Sequence, residues 1–237
     1  MCSRAHHCEP QPDSQEQNVK ISVVIPTLNA ASTLTATLVA LGPVDEVVIA
    51  DGGSADATVM LAQNAGARVV IAPKGRGQQL ATGIEAATES WLLLLHADTR
   101  LTPDWQAKAA AHMRDNPAKA AYFRFVLDSA DPRARRLEAV VAWRCRFLAL
   151  PYGDQGLLIH RDTLRGAGGM RPLPLMEDVD LIRRLGRRNV VGLVAGAVTS
   201  AAKWERDGWY RRSGRNLLCL SLWFLGVPAR HIAGIYG

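Results

Sequence analysis

Apolar and polar positions alternate in two distinct rhythms along the first hundred residues. Residues 19–26 form a β-branched run that stops at Pro26, which predicts a buried strand. Residues 30–41 carry Ala31, Leu34, Leu38 and Leu41 at helical spacing, and Gly42-Pro43 ends that helix. A strand follows at 46–50, then a helix to about Asn64 for which Ser54 is the expected cap. Residues 67–72 read as a strand, and a helix runs from the 73–77 loop to about Thr88. A last clear strand spans 91–95. Such alternation predicts an α/β fold, a Rossmann-like and mostly parallel sheet with helices on both faces. Ligands of such sheets bind at the carboxyl ends of the strands, where Asp51 and Asp98 fall.

The second half is less regular. A strand is expected over 121–127, an Arg-rich helix over 133–150, and a strand over 156–160. A helix begins near Glu177 and ends before Gly186. Two short strands, 190–194 and 197–203, are expected next, and the remainder is amphipathic or apolar helix. No internal repeat is visible. Residues 1–18 are polar and proline-bearing and read as a disordered tail, so Cys2, His6, His7 and Cys8 are not expected to form a metal site.

Charge sharpens the picture. The chain has 237 residues, a net charge of +6 and a pI of about 9.5, which suits phosphate-bearing partners. Arginines cluster at 133–146, 183–188 and 206–215, and solvated helix faces explain each cluster equally well. The four cysteines lack the spacing of a zinc or redox motif and imply no disulfide, so a cytoplasmic setting is expected. The apolar run 217–227 falls short of the roughly 20 residues that span a bilayer. Preceded by Arg211, Arg212 and Arg215, it either packs on the core or lies peripherally at the inner face of the membrane.

Several residues could carry chemistry. Asp51, before Gly52-Gly53, can accept hydrogen bonds from a base or ribose, although Asp-Gly-Gly-Ser is also a common turn. Asp98 can hold a divalent cation that also binds phosphates; it can equally cap the turn that follows. His96 reads as a supporting residue. Glu177, Asp178 and Asp180 open a helix, which suits either dipole compensation or a general base. Lys74-Gly75-Arg76-Gly77 is a basic loop able to neutralise phosphates, and 152–156 is a polar turn able to meet a sugar. There is no GxxxxGK[ST] loop and no GxGxxG after the first strand, which argues against P-loop and dinucleotide-dehydrogenase chemistry.

In order, the segments 23–29, 51–54, 96–99, 153–156 and 177–181 resemble the family 2 glycosyltransferases. The resemblance covers about 19–235, and Lys203-Trp204 to Trp209 is similar to a bacterial subgroup labelled arsenosugar-biosynthesis-type. It implies a GT-A fold, a nucleotide-diphosphate sugar donor, and Mg2+ or Mn2+ as cofactor. It implies donor contacts at Pro26, Thr27, Asn29, Asp51, Gly53, Arg76 and Asp98, with Asp98 as metal ligand. Asp178 would be the base of an inverting transfer, with Glu177 beside it, and Asp154, Gln155 and Trp204 would meet the acceptor. The chain departs from the family pattern at Ala30, at His96-Ala97-Asp98, at Thr82 and at Lys203, and the last implies non-processive transfer. Residues 19–204 are expected to form one domain, with a nucleotide-binding half (19–112) and an acceptor half (113–204), followed by a helical segment at 205–237. The acceptor is a small molecule or a lipid-linked group, and no nucleic acid is expected. Two other readings remain: a nucleotidyltransferase, disfavoured by Pro26-Thr27-Leu28-Asn29 where a glycine-rich loop belongs, and a silent nucleotide- or RNA-binding domain, favoured by the basic charge.

Overall fold

The computed structural model describes residues 20–236. The expected tail at 1–18, with Cys2 and Cys8, lies outside the described residues. The β-branched first run forms β1 (Ile21–Thr27), which pairs in parallel with β2 (Glu46–Asp51) and β4 (Trp91–Leu94). β3 (Arg68–Ile71) joins β2 in parallel. Beyond β4 the sheet changes character. β7 (Leu157–His160) runs antiparallel to β4 and to β6 (Ala120–Leu127). β8 (Val190–Thr199) lies parallel to β6, and the edge strand β5 (Thr99–Leu101) runs antiparallel to β8. All eight strands form one sheet in the order β3-β2-β1-β4-β7-β6-β8-β5, so both expected halves share a single framework.

Strand alternation builds a core on each face. Val23, Ile25, Leu93 and Leu95 point to one side, under α1 (Ala31–Leu41) and α4 (Trp105–Asp115). Val24, Leu92 and Leu94 point to the other, under α3 (Arg76–Ala86) and α7 (Glu177–Leu185). Gly83 lets α3 lie close on the sheet, because a Cβ there would sit 2.5 Å from Val24 Cγ1. A third cluster packs α5 (Pro132–Leu148) against β6, α8 (Ala202–Asp207) and the start of α9 (Trp209–Phe224), through Phe125, Val141, Trp204 and Trp209.

Four expectations need correction. Ser54 caps no helix: α2 (Thr58–Asn64) starts four residues later, and the Ser54 hydroxyl donates to Asp51 instead. The two short strands expected at 190–194 and 197–203 are one strand, β8, because Gly192 and Gly196 sit within the ladder to β6 without ending it. Residues 202–207 are helical, which puts Lys203 and Trp204 on α8. Residues 99–103, expected as a turn, contain β5, and α4 follows. Its Trp105, Ala109 and Met113 are a buried stripe at helical spacing. The chain also forms α6 (Arg161–Gly166) and α10 (Ala229–Tyr236).

Candidate active site

The carboxyl ends of β1 and β2 are organised by Asp51. Its carboxylate accepts from Thr27 Oγ1 (2.9 Å), Gly53 N–H (2.9 Å), Ser54 N–H (2.8 Å) and Ser54 Oγ (2.5 Å). Burial alone would raise this carboxyl, but those bonds hold it below its ordinary value. Asp51 is 1% exposed and fully engaged by its own turn. These bonds hold the loop that follows β2, and a hydrogen bond from a nucleoside to this carboxylate would have to displace one of them. Asn29 stands opposite in a left-handed conformation (φ 52°), as does Gly53 (φ 89°). Asn29 N–H donates to Ser54 Oγ (2.8 Å), and its side-chain oxygen accepts from Ala55 N–H (2.9 Å). Gln79 on α3 ties both strand ends together by donating to the carbonyls of Thr27 (2.6 Å) and Ala50 (2.9 Å). Pro26 is half-buried at the end of β1.

A second group gathers across the sheet around a cavity of about 120 Å3, whose lining includes Arg76, His96, Asp98, Asp154, Asp178 and Lys203. Asp178, in the first turn of α7, is fixed on both oxygens: Oδ2 accepts from Gly153 N–H (2.6 Å) and Oδ1 from Val179 N–H (2.8 Å). Met176 precedes this helix with φ 65°, a costly value for a residue bearing a Cβ, and successive helical positions then place Glu177 and Asp178 about 100° apart. Position 153 is tight, so any side chain there would have to displace His96. A Cβ there would lie 2.7 Å from His96 Nε2 and 3.1 Å from Asp178 Oδ2.

Glu177 is 0% exposed and accepts from Arg76 Nε on the first turn of α3; Arg76 also lies 3.7 Å from Asp178 Oδ2. Burial pushes the Glu177 carboxyl up and the Arg76 guanidinium pulls it back. Glu177 thus holds Arg76 in place. Gln155 is likewise buried. It donates to Phe123 O (3.1 Å) and accepts from Tyr152 N–H (3.2 Å), which braces the 152–156 turn.

Asp98 follows β4 and faces Lys203 on α8, with 3.1 Å between Lys203 Nζ and Asp98 Oδ2. Burial alone would raise the Asp98 carboxyl; His96 and Lys203 hold it below its ordinary value. Burial pushes His96 down to about 4, with Arg76 acting in the same direction, so its imidazole is neutral at neutral pH. Asp154 has a buried Oδ1 with no hydrogen-bond partner among the described residues. Burial pushes its carboxyl up to about 6, against the pull of Arg144.

The Asp154 value predicts a pH dependence with a definite sign. The folded chain holds this proton more tightly than the unfolded one, so the contribution is present at low pH and is lost as pH rises from 3.8 through about 6. Asp154→Asn is expected to raise the Tm of the metal-free protein at pH 8, with the gain vanishing below pH 4. A gain that persists unchanged in acid would refute the assignment.

The structure thus brings Arg76, Asp98, Asp154, Asp178 and Trp204 to one cavity. Pro26, Thr27, Asn29, Asp51 and Gly53, at the carboxyl ends of the neighbouring strands β1 and β2, are not among its lining residues. The structure also adds residues that sequence reasoning had not placed in the site. Lys203, Arg212 and Tyr236 line the same cavity from α8, α9 and α10. For Lys203 and Arg212 the signals were the tryptophan after Lys203 and the basic cluster at 206–215; for Tyr236 there was none.

The family model Glycosyl transferase family 2 matches residues 22–171, more than half of the chain. A PGL/p-HBAD biosynthesis glycosyltransferase of Mycobacterium bovis (strain BCG / Pasteur 1173P2) is 34% identical over 125 residues, which are 47% of this chain and 49% of that protein. The chain spans about half the length of the relatives of this kind. Among solved structures, glucosyl-3-phosphoglycerate synthase from Mycobacterium tuberculosis with Mn2+ and UDP-glucose has a TM-score of 0.61 at 20% identity, covering 90% of this chain and 81% of that one. S. aureus TarS 1-349 has a TM-score of 0.56 at 15% identity, covering 76% and 57%. These likenesses place the fold in the GT-A class expected from the motif order. With the family match spanning β1 through β7, the chain belongs to glycosyl transferase family 2.

Proposed function

We propose that this protein transfers a sugar from a nucleotide-diphosphate donor to an acceptor hydroxyl, with inversion and without processivity. The observation that carries the reading is a fixed carboxylate, Asp178, sharing one cavity with Asp98, His96, Arg76 and Lys203. Asp178 is the base. It takes the hydroxyl proton as the acceptor oxygen bonds to the anomeric carbon, while the bond from that carbon to the diphosphate oxygen breaks and the nucleoside diphosphate leaves with the electron pair. The Gly153 N–H aims the Asp178 carboxylate. Arg76 and Lys203 present positive charge where the leaving diphosphate gains negative charge.

The donor set suits a Mg2+ or Mn2+ ion shared with the substrate. Asp98 offers one carboxylate and His96 a neutral imidazole, and no group of three His, Cys, Asp or Glu side chains among the described residues could hold a metal alone. Such ions commonly take one or two carboxylates plus substrate phosphates. When bound, the ion would neutralise the diphosphate as it leaves. Lys203 would then have to release Asp98. Structural neighbours that hold Mn2+ with UDP or UDP-glucose support this reading.

Thermal unfolding with UDP, GDP, CDP, ADP or dTDP, each with and without Mn2+, tests the proposal. Ligand at about 100 times its dissociation constant adds roughly 2.7 kcal/mol. One nucleotide giving a Mn2+-dependent shift that Asp98→Asn abolishes is the expected outcome. No shift with any of the five would favour a silent domain instead.

A peripheral membrane contact is supported by one observation. Leu217, Leu218 and Leu225 on and after α9 are 64%, 50% and 80% exposed, although the opposite side of α9 buries Cys219 and Leu220. No helix among the described residues is long and apolar enough to cross a membrane. Flotation with anionic liposomes is expected to fall when these three leucines become serine, and equal flotation of the variant would end this reading.

A further inference from the structure

Beside the transfer cavity lies a larger one of about 540 Å3, lined by Arg76, Lys203, Arg206, Arg211, Arg212 and Arg215 with only Asp207 and Tyr236 for balance. Arg76 and Lys203 are paired with Glu177 and Asp98, which leaves four arginines facing one carboxylate. Asp207 is already shared, at 2.8 Å by Arg206, 2.8 Å by Arg212 and 3.3 Å by Arg215. Two guanidinium Nε–H groups, on Arg212 and Arg215, are buried without an acceptor among the described residues. The Arg212 side chain is 8% exposed, so its unmet donor carries a desolvation cost.

Helix physics makes this placement unfavourable for stability. Arg211, Arg212 and Arg215 sit in the first two turns of α9, which has no acidic residue in its first turn. The positive end of a helix repels cations, and like charges three or four residues apart repel one another. A ligand that supplies negative charge and several acceptors would relieve both effects, and Arg is the side chain suited to bidentate recognition of phosphate.

We infer that this cavity is an anion site in which the arginines of α8 and α9 hold a phosphate group carried by the acceptor, beside the donor diphosphate. The inference rests on the transferase reading for its word "acceptor", while the anion site itself stands on the arginine cavity alone. The second source of the same chemistry is the donor's own diphosphate, because Arg76 and Lys203 line both cavities.

Calorimetric titration of the full chain with glycerol 3-phosphate, alone and with whichever of the five nucleoside diphosphates binds, separates these sources. The expected result is that glycerol 3-phosphate binds alongside the nucleotide. In Arg211→Gln/Arg215→Gln that binding weakens roughly tenfold or more, as for lost charge-assisted hydrogen bonds. Nucleotide affinity stays within about twofold, as for an independent site. Single Gln variants, each checked for an unchanged Tm, guard against a folding defect in the pair. Mutual exclusion of the two ligands, with equal loss of both in the variant, would assign the arginines to the donor and overturn the inference. No binding of glycerol 3-phosphate or inorganic phosphate by folded wild type would also overturn it. Failure of every nucleotide to bind while glycerol 3-phosphate still does would instead remove the transferase reading and leave the anion site standing.

Discussion

Asp178→Asn should leave donor binding close to wild type and lower turnover by roughly 10²–10⁴-fold, the usual contribution of a positioned general base. The amide preserves the shape of the side chain and keeps one oxygen for the Gly153 N–H that now bonds Oδ2 at 2.6 Å, giving up only the Oδ1 bond from the neighbouring Val179 N–H. What it removes is the capacity to take a proton. The signature is therefore a fall in kcat with the nucleotide-induced thermal shift retained. A variant with near-full turnover would dismiss Asp178 as base. A variant that also loses nucleotide binding would mean that the carboxylate organises the donor, through its 3.7 Å approach to Arg76.

The second large effect concerns stability. Arg76→Leu leaves Glu177 ionisable, 0% exposed and without its cation, since Glu177 Oε2 already lacks a partner. Removing one member of a buried pair costs about 3–5 kcal/mol, and the Arg76 side chain, a third exposed, points to the lower end of that range. Urea unfolding is the appropriate measurement. The double variant Arg76→Leu/Glu177→Leu should recover much of the loss, because it removes the stranded charge along with its partner. If the single variant lost less than about 1 kcal/mol, in the range of an exposed ion pair, the buried-pair reading would fail.

How much of this was legible in the chain depends on the distance over which each signal acts. β1, β2, β3 and β4 are short apolar runs closed by turn residues, and their local pattern suffices to place them. Asp98 and Asp178 stood out because ligands of an alternating fold sit at its strand ends, and both line one cavity. The contacts of other residues depend on tertiary geometry. Glu177 and Asp178 are adjacent in sequence, yet one is sealed against Arg76 and the other lines the cavity. Asp51 reads as either a ligand contact or a turn residue in the sequence, which does not show that Thr27, Gly53 and Ser54 all bond it. The Lys203–Asp98 contact joins residues 105 positions apart and leaves no local trace. β8 was expected as two strands divided at 195–196, but it runs on through Gly196, where a Cβ would meet Thr102 Cγ2 at 3.0 Å.

The position of β8 between β6 and β5 also sets a timetable for synthesis. β5 sits at the sheet edge with β8 as its sole neighbour, and Thr99 pairs with Thr199. Translation at roughly 5–20 residues per second therefore leaves β5 without a partner for about 5–20 s after it is made. Lys203, Arg212 and Tyr236 emerge later still, so the nascent chain can assemble β1 to β4 while its transfer cavity remains open on one side. A ribosome-bound chain stalled before residue 190 would carry Asp98 and Asp178 without the strand and helices that enclose them.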